Sequence, residues 1–320
     1  MKIGRDYVAE IEAKRARGRR VEIPGAWRVE LLSAAFERSK EDAELRRYFP
    51  LAVIAVIEGS VRSAVQRLID EKPGCFEKFL TCQWSREQKF DLSVLQAVSG
   101  KRISVGELIS HLVTVKSVDN VIRVLSDVLG QSVVPLLQRI HDRWSVEVEC
   151  APKEPMISDL DGVLAALAAA FKHRHILAHE PADGLKISVD EVADELRAAA
   201  AFVGAVDQIV SQAIHPDAPL TQNAMNRAAA DQAQAADDEL QAALRAAPKS
   251  LEKRADFLAD VQEKWTEYRA AQAQLEGLAF EGGSIRPMIE AGARCEMARS
   301  RLTDIRRLFA NWEPEGKPSA

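Results

Sequence analysis

The chain has 320 residues, nearly half of them apolar and 28% charged, which leaves room for two domains and at least one sizeable core. Only 6% of residues are aromatic, and Gly with Pro make up under a tenth, a composition that excludes disorder and a turn-dense all-β fold. The net charge of −5 excludes a globally basic nucleic-acid coat but not a local basic site, because net charge describes the average and not the cleft.

The N-terminal stretch has no apolar core of signal-peptide length and clusters Lys14, Arg15, Arg17, Arg19 and Arg20. Such an arm can hold RNA phosphates or simply stay solvated. Pro24-Gly25 opens a first long helix, and Pro50 separates it from a second over 51–69. In the second, Ile54, Ile57, Val61, Val65 and Leu68 recur at spacings of three and four, building one apolar stripe. Glu58 and Arg62 stand four residues apart on that helix, the spacing of an intrahelical ion pair. Pro73-Gly74 ends it, and a mixed region follows. His111 and His141 are lone histidines in apolar-periodic segments and read as structural.

Pro152 and Pro155 precede a helix over 157–178, with Ser158 or Asp159 as its N-cap and Leu160, Leu164, Leu167 and Phe171 as its stripe. Val192, Leu196, Ala199, Val203, Val206 and Val210 mark the next helix. SVEVEC (145–150) and LKISV (185–189) alternate, but each is short and isolated, so the predicted fold class is all-α. HPDAPL (215–220) carries two prolines in six residues and marks the domain boundary. Beyond it, three helices are broken at Pro248 and at EGGS (281–284), and the tail after Trp312 reads as disordered.

Cys75, Cys82, Cys150 and Cys295 form no CxxC pair, which argues against a zinc site or a disulfide framework. LAVIAVIEG meets Glu58 after seven apolar residues, and GVLAALAAAF is too short to span a bilayer. The expectation is a soluble cytoplasmic protein without membrane contact and without a cofactor.

The chemistry concentrates in AFKHRHILAHEP (170–181), where His173, His175 and His179 are interleaved with Lys172 and Arg174. Histidine exchanges protons near neutral pH, and arginine is a fixed donor for phosphoryl oxygens. Together they point to phosphodiester chemistry. In metal-independent RNA cleavage a base takes the ribose 2′-OH proton, the 2′-oxygen attacks phosphorus, and an acid protonates the leaving 5′-oxygen. His179 suits the acid–base role and Arg174 the stabilisation of the phosphoryl transition state. The two lie about 140° apart on an ideal helix. They converge if the helix ends or distorts near His179, before Pro181, or if two chains share the site. His175 and His179, four apart, are alternatively a zinc-binding pair with Glu180 or a distant residue. A basic helix end that merely opposes the helix dipole is the plainest alternative.

RHILAH (174–179) resembles the Arg-x4-6-His motif of the HEPN superfamily, all-α domains that include many metal-independent ribonucleases of toxin and antiphage systems. His175 supplies the polar residue that follows the Arg. The 51–69 helix resembles the earlier HEPN helix carrying an acidic residue, here Glu58, that faces the motif; Arg62 is carried as a supporting residue. The resemblance covers 26–214. It implies a homodimer with Arg174 and His179 of both chains lining one cleft, an RNA substrate (tRNA or mRNA), and a neutralising antitoxin protein. Glu180 departs from the pattern, standing where a neutral residue often follows the His; it either orients His179 or discourages phosphate.

Residues 221–312 carry a second resemblance. QEKWTEYRAAQAQLEG (262–277), GGSIRPM (282–288) and CEMARSRLTDIRRL (295–308) are similar to the lysozyme-inhibitor LprI-like domain, a small helical module. Ala273 stands where the family has a cysteine, and Cys295 keeps no partner, which fits a reducing compartment. The implied role is sensing or partner contact rather than lysozyme inhibition. Arg294, Arg299, Arg301, Arg306 and Arg307 are its candidate exposed basic residues. The alternative for the whole chain is a non-catalytic interaction or sensor protein that binds RNA, nucleotide or a partner protein.

Overall fold

The computed structural model describes residues 6–18, 25–86, 92–180 and 184–311, and among them there is no strand. The chain divides into two compact units, residues 1–217 and 218–320.

The first unit contains α1 (Tyr7–Gly18), α2 (Gly25–Ser39), α3 (Ala43–Arg46), α4 (Tyr48–Glu71), α5 (Cys75–Leu80), α6 (Gln83–Arg86), α7 (Leu92–Ser99) and α8 (Val105–Leu112). It continues with α9 (Val118–Leu129), α10 (Val134–Leu137), α11 (Arg143–Glu147), α12 (Leu160–His179) and α13 (Val189–Ile214). Helix α4 is the hub, packing on α2, α8, α9, α12 and α13. Its stripe of Ile54, Ile57, Val61, Val65 and Leu68 is buried, as the spacing predicts. The segment 43–71 is long and apolar enough to cross a membrane by length and composition, but ten residues of α4 are buried within this bundle. Pro50 lies inside the first turn of α4 rather than before it. Proline is tolerated there because a first-turn N–H has no intrahelical acceptor to lose.

The alternating stretches are not strands. The first half of SVEVEC falls in α11, which Asp142 caps by accepting from the Trp144 N–H at 3.0 Å, and the rest is a turn. LKISV runs into α13, where Ser188 and Glu191 form a reciprocal capping box. Asp159 caps α12, accepting from the Gly162 N–H at 2.9 Å.

The described part of the basic N-terminal segment belongs to α1, which packs on the bundle rather than extending as an arm. Val8 and Ile11 of α1 join Val94, Ala97, Ile103 and Leu108 in a small second core. Arg15 forks onto the Glu107 carboxylate at 2.6 and 2.7 Å and donates to the Arg102 carbonyl. His111, the expected structural histidine, sits 2.7 Å from Glu10 on α1. Arg19 and Arg20 lie outside the described residues.

The second unit contains α14 (Gln222–Arg245), a 3-10 turn (Lys249–Arg254), α15 (Ala255–Leu278) and α16 (Arg286–Ala310). Ala233 and Ala236 of α14 meet Ala291, Cys295 and Ala298 of α16, and Leu240, Leu251, Leu302, Ile305 and Phe309 form a second cluster. Trp265 of α15 touches both. Its ring lies 5.0 Å from the Arg269 guanidinium and 5.9 Å from that of Arg301. Arg269 also forks onto Asp237 of α14. Arg301 is therefore half-buried beside Trp265 and not an exposed cation, whereas Arg294, Arg299, Arg306 and Arg307 are exposed. Trp312 and the tail lie outside the described residues.

Candidate functional site

The C-terminal half of α12 is held by Leu167, Ala170 and Phe171, which are buried in the bundle. The last two turns then send polar side chains in three directions. His173 points to α13, where its Nδ1 lies 2.6 Å from Glu195 Oε1. Arg174 points to α4, where its Nη2 lies 3.9 Å from Glu58 Oε1. His175 and His179 are exposed one turn apart, their ring centroids 5.0 Å from each other.

Glu58 and Arg174 are thus brought together across α4 and α12, both partly exposed at 26% and 38%. At 3.9 Å the contact is loose, so the Arg174 donors are not saturated by it. Arg62 forms no ion pair with Glu58 among the described residues, contrary to the intrahelical pairing expected from their spacing. Its Nε is instead buried without an acceptor. The reason is geometric: α12 crosses α4 near Glu58 and offers that carboxylate a cation from another helix.

Helix α12 neither ends nor distorts before His179. It runs unbroken to that residue, and the Glu180 N–H closes on the Ile176 carbonyl at 2.9 Å. Arg174 and His179 of one chain therefore keep the helical offset of about 140° and do not share a face. Lys172 and Glu180 are exposed, and no hydrogen bond joins Glu180 to His179. His179 occupies the last turn of α12 and is exposed. Among the described residues no group of three His, Cys, Asp or Glu is placed to hold a metal ion.

Sequence reasoning grouped His173 with the exposed histidines and did not single out Glu195. Glu195 is 1% exposed, His173 is 12% exposed at its side chain, and Glu195 Oε2 has no hydrogen-bond partner among the described residues. Burial pushes the Glu195 carboxyl up to about 7; the bond to His173 and its charge oppose the rise, and the nearby Glu191 adds to it. The available signal was position: Glu195 falls between Val192 and Ala199 on the inward stripe of α13, where an acid demands a buried partner.

An open groove of about 440 Å³ also lies along α12, lined by Ser117, Ile122 and Val134 and by Leu164, Ala168 and Phe171. His175 continues the same helical row one turn beyond Phe171.

A family model described as lysozyme inhibitor LprI matches residues 215–305. An uncharacterized protein of Rhizobium meliloti (strain 1021) is 33% identical over 58 residues, which are 18% of this chain and 42% of that protein. The chain therefore spans less than half the length of that relative. No solved structure matches the chain.

Proposed function

We propose that the first unit is a metal-independent endoribonuclease of the HEPN type, acting as a cytoplasmic toxin or antiphage effector. The observation that carries this reading is the meeting of Glu58 on α4 with Arg174 on α12, the acid-facing-motif arrangement that the resemblance requires. In this reading Glu58 holds the Arg174 guanidinium toward the substrate face, and the unsaturated donors grip the phosphoryl oxygens as negative charge develops. His179, exposed at the helix end, exchanges the proton with the 2′-OH or the 5′-oxygen. Because Arg174 and His179 of one chain diverge, a second protomer supplies the complementary pair, making the site composite in a homodimer. The requirement for a 2′-OH restricts the substrate to RNA.

The test is incubation of wild type, Arg174→Ala and His179→Ala with total RNA and tRNA in EDTA, followed by end-group analysis. Wild type is expected to leave 2′,3′-cyclic phosphate ends, and each variant to lose about 10²–10⁴-fold in rate while keeping its helical circular dichroism. Cleavage undiminished in both folded variants would overturn the assignment.

A second reading is favoured by the LprI match at 215–305. It assigns the second unit to binding a protein partner, with the first unit as catalyst or as a non-catalytic nucleotide or RNA binder. An antitoxin is one such partner.

A further inference from the structure

Helix α15 is apolar on two sides. One side holds Leu258, Trp265 and Ala273 inward. The other carries Phe257, Val261, Tyr268, Ala271, Leu275 and Leu278, and Phe257, Tyr268, Leu275 and Leu278 are each more than half exposed. With Lys264 included, the spacing alternates four and three residues along the whole helix. That alternation is the seam of a coiled coil, which fits another helix and not a flat surface. Lys264 is the one seam residue that is not apolar, and its Nζ donates to Asp260 Oδ2 at 2.6 Å.

The border of the seam is acidic. Asp256, Asp260, Glu263 and Glu267 are all exposed and follow the same alternation, one step round the helix. Lys264 is the only exposed cation on α15, since Arg269 is half-buried against Asp237. We propose that this face docks a basic amphipathic helix of a partner protein, its apolar residues along the seam and its Lys or Arg side chains against the acidic row. A helix of about three heptads matches the length of α15. A second copy of the chain fits poorly, because antiparallel pairing of two such seams sets carboxylate against carboxylate. An anionic membrane surface would be repelled by the same row. The inference does not depend on RNA cleavage; it rests on the partner-binding reading of the second unit and gives that partner a chemistry.

The experiment uses the full chain and two fluorescent synthetic helices of about three heptads, with Leu at the core positions and either Lys or Glu at the flanking ones. The Lys helix is expected to saturate the protein in fluorescence anisotropy, to weaken at high salt, and to bind about tenfold or more tighter than its Glu twin. Leu275→Asp, a surface change whose fold is checked by circular dichroism, is expected to abolish binding. Reversing the row with Asp260→Lys and Glu267→Lys is expected to switch preference to the Glu twin. Absence of saturation by the Lys helix, equal binding of the twin, or undiminished binding to Leu275→Asp would each overturn the proposal. A dimer that Leu275→Asp dissolves in sedimentation would instead give the face to a second copy. RNA cleavage by the same Leu275→Asp protein separates failure here from failure of the ribonuclease reading.

Discussion

Glu195 is an acid at a position where the stripe of α13 calls for an apolar side chain. Among the described residues its hydrogen-bond partner is His173, so a buried polar contact joins α12 to α13 beside Arg174. Its carboxyl is raised from an ordinary 4.5 to about 7 by burial. Below the lower value both folded and unfolded chains hold the proton, and the folded state is at full strength. As pH rises toward the upper value, the unfolded chain ionises first and stability falls, by about 3 kcal/mol in total at 1.36 kcal/mol per pH unit. Glu195→Gln should flatten this slope in thermal melts and make the protein more stable than the parent above neutral pH. A variant that keeps the parental slope would place the titration elsewhere. The sequence displays His173, Arg174, His175 and His179 close together but not their separate directions. Spacing along one helix says which residues share a face; only the packing of α4 and α13 decides that Arg174 meets Glu58 and His173 meets Glu195.

At the scale of elements, the α4, α12 and α13 stripes were legible because a 3.6-residue period is written within each helix. Helix α1 was not, because its only large apolar side chains are Tyr7, Val8 and Ile11 and the residues they pack on lie far along the chain. The meeting of α8 with α4 was equally hidden, and it depends on a glycine. A Cβ at Gly106 would lie 2.5 Å from the Gln66 carbonyl and 2.6 Å from the Asp70 carboxylate. The Gly106 N–H donates to Asp70 at 2.8 Å, and the Ser104 hydroxyl donates to the other Asp70 oxygen at 2.6 Å. The backbone oxygen cannot swing aside, so Gly106→Ala should destabilise the first unit by about 1–3 kcal/mol. Chemical denaturation measures this directly, and an unchanged midpoint would mean that the two helices separate at little cost.

Over the whole molecule, the division into two units falls between Asp217 and Ala218, within the stretch of two prolines. His215, Pro216 and Asp217 are exposed, with helical hydrogen bonding ending at His215. Limited proteolysis should cut first in this stretch and release two fragments that stay helical; early cleavage inside α4 or α13 would contradict the division. The boundary was legible because prolines act through local backbone chemistry.

The alanine contact of α14 with α16 has a consequence for where this module can be altered. Alanine freezes no rotamers on burial, so the seam forms with little loss of side-chain entropy, and its backbones meet closely. The same closeness leaves no room for growth: almost any replacement at Ala233, Ala236, Ala291 or Ala298 adds atoms where none fit. The outer face of α15 is under no such restraint. The stability of the module is therefore set on the inner seam, and its outer face can be altered to change what it recognises while the scaffold stays fixed.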